Sequence, residues 1–312
     1  MLHRSSKELI TRGNIDGIIS AAIFLRCYPH SKIQFVTSPA AAAPYVQSSD
    51  ADHIFVSDLS PVPSLAGAIE SILYSRQVTL IDHHPFSNQF DWAVIDDTAS
   101  AAGLMHRILE PNGMDAAVAI ADLYESGNGS PTQHAGRILD VDSIAKECDI
   151  LDFAWRFNIK DDIFRYNAAS QLARDNLPSE IPCIVKRYEE MIRQNRWGKA
   201  INNAYKHMQH VGNAAIIKFD GRRPSFYGFG TRALTEAARR KGCNYVAMLY
   251  QRKSESVVSL RSTMSEGENL GQFIESFTSR HGIEGGGHPN SAGARIPTSS
   301  TNLLINKLSM LA

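Results

Sequence analysis

The chain has 312 residues, of which 43% are hydrophobic and 21% charged, an ordinary globular composition with enough length for two domains. Lysine plus arginine equals aspartate plus glutamate at 32 each, so no overall basic charge favours long duplex DNA or an anionic membrane as a partner. The four scattered cysteines indicate neither a zinc knuckle nor a disulfide framework, and no segment has the apolar length of a signal peptide or a membrane span. We therefore expect a cytoplasmic protein with no membrane partner.

Strands alternate with helical segments over the first part of the chain. The predicted strands are 8–11, 32–37, 53–57, 78–81 and 92–95, and the predicted helices are 18–28, 64–75, 98–109 and 114–125. This alternation predicts an α/β fold with a doubly wound, mostly parallel sheet. In such sheets ligands bind at the carboxyl ends of the strands.

Chemically active side chains follow three of these strands. Asp16 lies between the first strand and its helix, Asp58 follows the third strand, and Asp82-His83-His84 ends the fourth. A carboxylate and two imidazoles are costly to bury unless they are paired or bound to a cation. The alternative is a polar corner with a solvated histidine pair.

A further carboxylate, Asp122, lies inside an apolar helical segment and needs a partner there. Together with Asp16, Asp58 and His83 it forms the ligand set expected for Mn²⁺ or Mg²⁺. Such a cation polarises a phosphoryl oxygen and lowers the pKa of a bound water, so the set predicts phosphoester hydrolysis.

From about residue 132 to 207 the pattern is mainly helical, and 184–205 is predicted as one long connecting helix. A second, smaller α/β domain follows, with strands at 213–219, 245–250 and 257–262, helices at 231–241 and 270–278, and a glycine-rich loop at 285–293. The predicted organisation is a metal-binding domain at 1–180, a helical connector at 181–208 and a substrate-binding domain at 209–312. We expect the two domains to enclose a cleft.

These motifs, in this order, resemble the DHH phosphoesterases that carry a DHHA1 associated domain, a group that includes RecJ exonucleases and nano-RNases. Asp82-His83-His84 is similar to the signature that names the family. The other matching segments are Ile15-Asp16-Gly17, Ser57-Asp58, Asp122, Arg261-Ser262, and Gly285-Gly286-Gly287-His288 with Ser291-Ala292-Gly293. The resemblance covers nearly the whole chain.

The family's first motif normally runs His-x-Asp-x-Asp, and the resemblance implies a site with two metal ions. This chain has Arg12 and Asn14 at the first two of those positions. A guanidinium cannot ligate a metal and an amide is a poor ligand, so we expect one ion per chain, held by Asp16, Asp58, His83 and Asp122, although a second is not excluded. Arg12 either contacts the substrate phosphate or marks a decayed site, and the sequence leaves both readings open.

The resemblance also implies roles for residues outside the metal set. His84 contacts the phosphate or supports His83, and we place it with Arg12 and Asn14 as catalytic. The expected substrate-binding residues are Arg261, Ser262, Gly285, Gly286, Gly287, His288 and Asn290. The expected activity is hydrolysis of a short single-stranded oligonucleotide or a related small phosphodiester. The alternative is an oligonucleotide-binding protein with impaired catalysis, and a homodimer is left open.

Overall fold

The computed structural model of the protein describes residues 5–86, 88–127, 129–220, 225–264, 267–280, 283 and 285–311. The chain divides into two compact units, Met1–Glu190 and Met191–Ala312. This division falls within the segment that the sequence assigns to a connector. Within the described residues, no helix combines the length and the apolar character needed to cross a bilayer.

The first unit alternates strands with helices. Its sheet contains β1 (Lys7–Arg12), β2 (Lys32–Val36), β3 (His53–Ser57), β4 (Gln77–Asp82) and β5 (Ala93–Ile95). The helices of this part are α1 (Ile15–Cys27), α2 (Pro39–Ser48), α3 (Pro63–Glu70), α4 (Ala101–Leu109) and α5 (Asp115–Ser126). Helix α2, which the sequence analysis did not predict, begins at the N-cap Ser38, whose side chain accepts from the Ala41 N–H.

The five strands form one parallel sheet in the order β2-β1-β3-β4-β5. Neighbouring residues of a strand point to opposite faces, and here both faces are buried. Leu9 and Ile81 belong to a core shared with α1, α4 and α5, whereas Ile10 and Leu80 belong to a core shared with α2 and α3. The doubly wound parallel sheet predicted from the sequence is therefore confirmed.

The chain from residue 132 to 207 is mainly helical, with one exception. A short antiparallel hairpin, β6 (Thr132–His134) and β7 (Arg137–Leu139), replaces the start of the predicted helical region. Its turn uses Gly136, whose φ of 76° suits a residue without a side chain. Helices α6 (Val141–Arg156), α7 (Asp162–Leu172) and α8 (Pro182–Arg193) follow, and α9 (Arg196–His207) belongs to the second unit.

The predicted single helix at 184–205 is wrong, because the segment forms two helices. Asn195 lies between α8 and α9 with a left-handed backbone, at a φ of 47°. A residue in that conformation cannot continue a right-handed helix, so α8 ends and α9 begins around it.

The second unit contains a six-stranded mixed sheet. After α9 its elements are β8 (Gln209–Val211), β9 (Ala214–Phe219), α10 (Gly230–Arg240), β10 (Tyr245–Gln251), β11 (Glu255–Ser262), α11 (Leu270–Ser279), β12 (Gly285–His288), β13 (Ser291–Pro297) and α12 (Thr301–Leu308). The strand order is β12-β13-β11-β10-β9-β8, and only β9 and β10 are parallel neighbours. Helices α11 and α12 share its core through Ile274 and Leu304.

The sequence predicts a glycine-rich loop at 285–293, but the structure differs there. Residues 285–288 form an edge strand, β12, that pairs with β13. A side chain at Gly287 would place its Cβ 2.2 Å from the Ser291 carbonyl oxygen, and one at Gly271 would lie 2.3 Å from the Gly287 carbonyl oxygen. The glycines therefore let β12 pack closely between β13 and α11.

Candidate metal centre

Three neighbouring strands of the first sheet end at the same edge and bring their last residues together. Arg12 ends β1, Asp58 directly follows β3, and Asp82 ends β4. This edge includes the point between β1 and β3 where the strand order reverses, the usual place for a ligand in a doubly wound sheet. The sheet topology thus delivers four of the residues singled out from the sequence: Asp16, Asp58, His83 and His84.

Within the first unit, two overlapping sets of side chains place their ligand atoms within 4.8 Å of one another. One set contains Asp58, Asp82, His83 and His84, and the other contains Asp16, His83 and Glu125. His83 belongs to both sets and lies at their centre.

The His83 ring is surrounded by carboxylates. Its Nε2 atom lies 3.6 Å from Oδ2 of Asp16, 3.6 Å from Oδ1 of Asp58 and 3.9 Å from Oε2 of Glu125. Burial acts to lower the pKa of His83, but the surrounding carboxylates, Asp58 first, outweigh it and raise that pKa to about 9. Without a cation at this edge, the structure therefore favours a proton on His83.

Asp58 has two properties typical of a functional residue. Its backbone has a φ of 55°, in the left-handed region that a non-glycine residue rarely adopts. Its side chain is buried, and neither carboxylate oxygen has a hydrogen-bond partner among the described residues. Burial acts to raise the pKa of Asp58, yet His83 and Arg12 outweigh it and lower that pKa. A charged, buried carboxylate without hydrogen bonds is expected to bind a cation.

Asp16 lies in the first turn of α1, because that helix begins at Ile15 and not at residue 18 as predicted. Its two carboxylate oxygens accept the backbone N–H groups of Ala101 and Ala102, at 2.9 and 2.8 Å, which begin α4. Burial, followed by repulsion from Asp58 and Glu125, raises the pKa of Asp16 well above its usual value. The start of α4 thus fixes the orientation of this carboxylate.

Asp122 is the predicted metal ligand that does not join either set. Its Oδ1 atom accepts the backbone N–H and the hydroxyl of Ser100, at 2.9 and 2.6 Å. Ser100 is in turn the N-cap of α4. The partner that a carboxylate in this apolar helix requires is therefore the capping residue of the neighbouring helix.

Glu125, one helical turn after Asp122 on α5, places its carboxylate in the set with Asp16 and His83, and it is not among the ligands predicted from the sequence. Burial and then the charge of Asp58 raise the pKa of Glu125. The spacing of the two residues could have pointed to Glu125. Residues three apart lie on the same side of a helix, so a helix that directs Asp122 toward a site also directs Glu125 toward it.

The two departures from the family's first motif have different surroundings. Asn14 is the N-cap of α1: its side-chain oxygen accepts the Gly17 N–H at 3.0 Å, while its amide nitrogen lies 3.4 Å from Oε1 of Glu125. The Arg12 backbone pairs with β2, but its side chain forms no hydrogen bond or ion pair within the described part of the chain. Burial acts to lower the pKa of Arg12, but Asp58 and Glu125 outweigh it and raise that pKa, so the guanidinium stays charged beside these carboxylates.

His84 is held by Asp82. Its Nδ1 atom lies 2.8 Å from Oδ1 of Asp82, which orients the ring, and 3.9 Å from Oδ1 of Asp58. The first residue of the Asp82-His83-His84 stretch therefore supports the last one, while His83 faces the other carboxylates.

In the second unit, the expected substrate-binding residues lie at one end of the sheet. Arg261 of β11 is opposite Ser291 of β13, and Ser291 is opposite His288 of β12. Residues directly opposite in an antiparallel sheet point to the same face, so Arg261 and His288 share a face two strands apart. The Ser262 N–H donates to the Asn290 carbonyl oxygen at 2.9 Å, which joins the β12–β13 turn to β11. The expected cleft between the domains stays a prediction.

The donor set at the edge of the first sheet fits a divalent cation. Asp16 and Glu125 belong to one set and Asp58 to the other, but all three carboxylates lie within 3.9 Å of Nε2 of His83. Carboxylate oxygens with one imidazole nitrogen suit Mn²⁺ and, through the oxygens, Mg²⁺. Burial, and then repulsion between the neighbouring carboxylates, raises the pKa of Asp16 and of Glu125. The two oxygens of Asp58, which accept no hydrogen bond among the described residues, are the strongest single sign that this edge binds a cation.

Comparisons with known proteins identify the fold. No protein-family model and no curated protein matches the sequence. Among solved structures, the chain is similar to the pGpG-specific phosphodiesterase PggH of Vibrio cholerae, with 15% identity, a TM-score of 0.55, and coverage of 98% of this chain and 100% of that one. It is similar to RecJ of Thermus thermophilus in complex with Mn²⁺, with 13% identity, a TM-score of 0.61, and coverage of 99% of this chain and 52% of that one.

The chain therefore spans about half the length of that RecJ structure. An exopolyphosphatase-related protein of Bacteroides fragilis also matches, with 13% identity, a TM-score of 0.55, and coverage of 98% of this chain and 92% of that one. These likenesses confirm the fold that the resemblance implies: the chain has the fold of the DHH/DHHA1 phosphoesterases, shared with RecJ and PggH.

Proposed function

We propose that the protein is a metal-dependent phosphodiesterase. The observation that carries this proposal is Asp58, whose two buried oxygens have no hydrogen-bond partner among the described residues and which lies beside His83. The position of this carboxylate at the switch point of a doubly wound sheet supports a ligand site. The shared fold with RecJ and with PggH supports phosphodiester chemistry.

The proposed ligands are Asp16, Asp58, His83 and Glu125, with Glu125 in the place given to Asp122 from sequence. The single imidazole favours Mn²⁺ over Mg²⁺, and we propose one ion per chain. When bound, the cation polarises a phosphoryl oxygen and makes a bound water more acidic. Asp16 is already oriented by the start of α4 and needs no rearrangement to serve as a ligand.

The remaining residues of this edge bind and orient the substrate in our proposal. Arg12 keeps a fixed positive charge beside Asp58 and has its donors available for a phosphate oxygen, to which a guanidinium can donate two parallel hydrogen bonds. His84, oriented by Asp82 through Nδ1, would contact the phosphate through its other ring nitrogen. Asn14 acts through the start of α1 and through Glu125, and its capping role makes it a supporting residue.

The proposed substrate is a short single-stranded oligonucleotide or a related small phosphodiester. In the second unit Arg261 and His288 share one face of a sheet, and the Gly285–His288 strand can be approached closely because Gly286 has open space around it. We assign these residues, with Ser262 and Asn290, to the far phosphate or the terminal nucleotide of the substrate. PggH acts on pGpG, which has this size.

A second candidate function rests on Arg12 and Asn14. Both stand where the resembled family has metal ligands, and a guanidinium cannot ligate a metal while an amide is a poor ligand. A protein that kept the fold with one metal position lost would bind oligonucleotides without hydrolysing them. The two candidates differ in one measurable property, turnover.

The test measures Mn²⁺ binding by isothermal titration calorimetry and hydrolysis of a dinucleotide by chromatography. Wild type should bind one Mn²⁺ and release mononucleotides, and Asp58→Asn should lose both properties. Asp96→Asn is the matched control, because Asp96 follows β5 at the same edge but is partly exposed and paired with Arg107. Mn²⁺ and dinucleotide binding without any hydrolysis by wild type would favour the binding-protein candidate.

A further inference from the structure

Helix α7 reaches the loop that carries Arg12 and Asn14 through one buried side chain, Arg165. The Arg165 side chain is 9% exposed, and its Nε donates to the Gly13 carbonyl oxygen at 2.9 Å. Gly13 is the residue between Arg12 and Asn14. A single side chain, 152 positions away in sequence, therefore holds the backbone between these two residues.

The guanidinium of Arg165 is itself anchored. One Nη donates to the Asp162 carboxylate, and the other donates to the Ile159 carbonyl oxygen at 2.6 Å. The same group lies over the Phe35 ring at the end of β2, 5.8 Å from its centroid. A planar guanidinium with three fixed contacts can no longer rotate, so it offers Nε to Gly13 in one direction only.

The contact with Arg165 requires a residue without a side chain at position 13. A Cβ at this position would lie 2.7 Å from Cζ of Arg165, closer than a side chain can approach. The Gly13 N–H donates to the Val36 carbonyl oxygen at 3.2 Å. Both backbone groups of Gly13 are therefore used, one toward β2 and the other toward α7.

We propose that Arg165 is a positioning residue for the proposed reaction: it holds the Gly13 backbone so that the preceding Arg12 stays at the metal centre in the orientation that binds phosphate. This inference rests on the proposed function, since it gives Arg12 a phosphate to bind. Arg165 itself need not touch the substrate. Replacing Arg165 should therefore lower kcat through Arg12. In a variant that already lacks Arg12, the same replacement should leave kcat almost unchanged.

The decisive test is a double-mutant cycle on dinucleotide hydrolysis with saturating Mn²⁺. Arg165→Ala should lower kcat tenfold or more in the wild-type background and less than twofold in the Arg12→Ala background. Arg165→Lys, which keeps the charge but has no planar fork, should fall between. Equal losses in both backgrounds, or no loss in either, would overturn the proposal.

Two further measurements separate positioning from general destabilisation. Leu172→Ala, at a buried position two helical turns along α7, should lower the melting temperature while kcat stays within twofold at a temperature where the protein is folded. If Arg165→Ala does not fold, Asp162→Asn replaces it in the cycle, because it frees the guanidinium from one of its anchors.

Hydrogen exchange tests the contact without using activity. Amides of the 12–17 segment should exchange faster in Arg165→Ala than in wild type, whereas those of β4 should not change, and unchanged exchange in 12–17 would overturn the proposal. A wild type that shows no hydrolysis would refute the proposed function, and the exchange result alone would then decide whether Arg165 holds the loop.

Discussion

The amide nitrogen of Asn14 lies 3.4 Å from the Glu125 carboxylate, and this pair joins the first motif of the chain to the metal centre. In the resembled family a carboxylate stands at the position of Asn14, where it would repel Glu125. The neutral amide donates toward Glu125 instead, while its oxygen caps α1. Asn14 and Glu125 are thus compatible with each other, and the charge that remains on Glu125 is available for a cation.

We predict that Glu125→Gln weakens Mn²⁺ binding at least tenfold, because it removes one of the three carboxylates that surround Nε2 of His83 in the proposed site. Asp122→Ala should leave Mn²⁺ affinity within about twofold and lower the free energy of unfolding by about 1 to 2 kcal/mol, since Ser100 loses its acceptor. Calorimetric titration and urea denaturation measure the two effects. The reverse pattern would return the ligand role to Asp122.

The parallel sheet could be predicted from the sequence because each strand is a short apolar run that ends at a polar residue. Asp58 and His83 could be placed at one edge for the same reason, since the ends of parallel strands meet there. Glu125 could not be separated from Asp122 in this way. Both lie on one helix, and the choice between them depends on where Ser100, the cap of another helix, directs its donors.

The hairpin at 132–139 and the strand at 285–288 could not be predicted for a different reason. Neither has the apolar alternation of a strand, and each depends on tertiary contacts. Gly285–His288 pairs with β13 because the glycines permit a close approach to α11, which no local pattern reveals. The contact of Arg165 with Gly13 likewise joins residues too distant in sequence to be paired by inspection.

We predict opposite effects for alanine at two helical glycines. In Gly17→Ala the new Cβ would lie 1.8 Å from the Arg12 carbonyl oxygen, so the start of α1 must shift away from β1, and the free energy of unfolding should fall by about 3 kcal/mol or more. In Gly67→Ala, in α3, nothing lies within 4 Å, and stability should rise by about 0.5 to 1 kcal/mol. Thermal or urea unfolding compares the two variants directly. A Gly17→Ala variant as stable as wild type would contradict the close contact between α1 and the end of β1.

We predict that the metal-free protein loses stability as pH rises from about 6.5 to about 9. The pKa of His83 is raised from 6.5 to about 9, so the stability it contributes is present below pH 6.5 and disappears toward pH 9. The raised pKa values of Asp16 and Glu125 act in the same direction, because their ionisation is disfavoured in the folded state. The His83 contribution is on the order of 3 kcal/mol.

Urea denaturation in EDTA at several pH values measures this slope. The control is His83→Gln, which removes one of the titrating groups and should reduce the slope over the same interval. Wild type whose stability is constant between pH 6.5 and 9 would show that His83 does not hold its proton among these carboxylates.

The two interpretations of Arg12 predict opposite effects of its removal on the rate of hydrolysis. The guanidinium lies beside Asp58 and Glu125, where its charge competes with a divalent cation for the same carboxylates. It also supplies donors for a phosphate oxygen. Removing it should therefore strengthen Mn²⁺ binding and, if it binds phosphate, weaken catalysis.

We predict that Arg12→Ala raises Mn²⁺ affinity severalfold while it lowers kcat on a dinucleotide by a hundredfold or more, because the loss of one preorganised charged donor costs on the order of 2 to 4 kcal/mol in the transition state. The matched comparison is Arg12→His with Asn14→Asp, which restores the imidazole and carboxylate of the resembled motif and should raise the number of bound Mn²⁺ ions from one to two. Tighter Mn²⁺ binding together with unchanged or faster hydrolysis by Arg12→Ala would mean that Arg12 marks a decayed metal position. In that case the double variant should be the fastest of the three enzymes, whereas if Arg12 binds phosphate the wild type should remain faster than Arg12→Ala at every Mn²⁺ concentration.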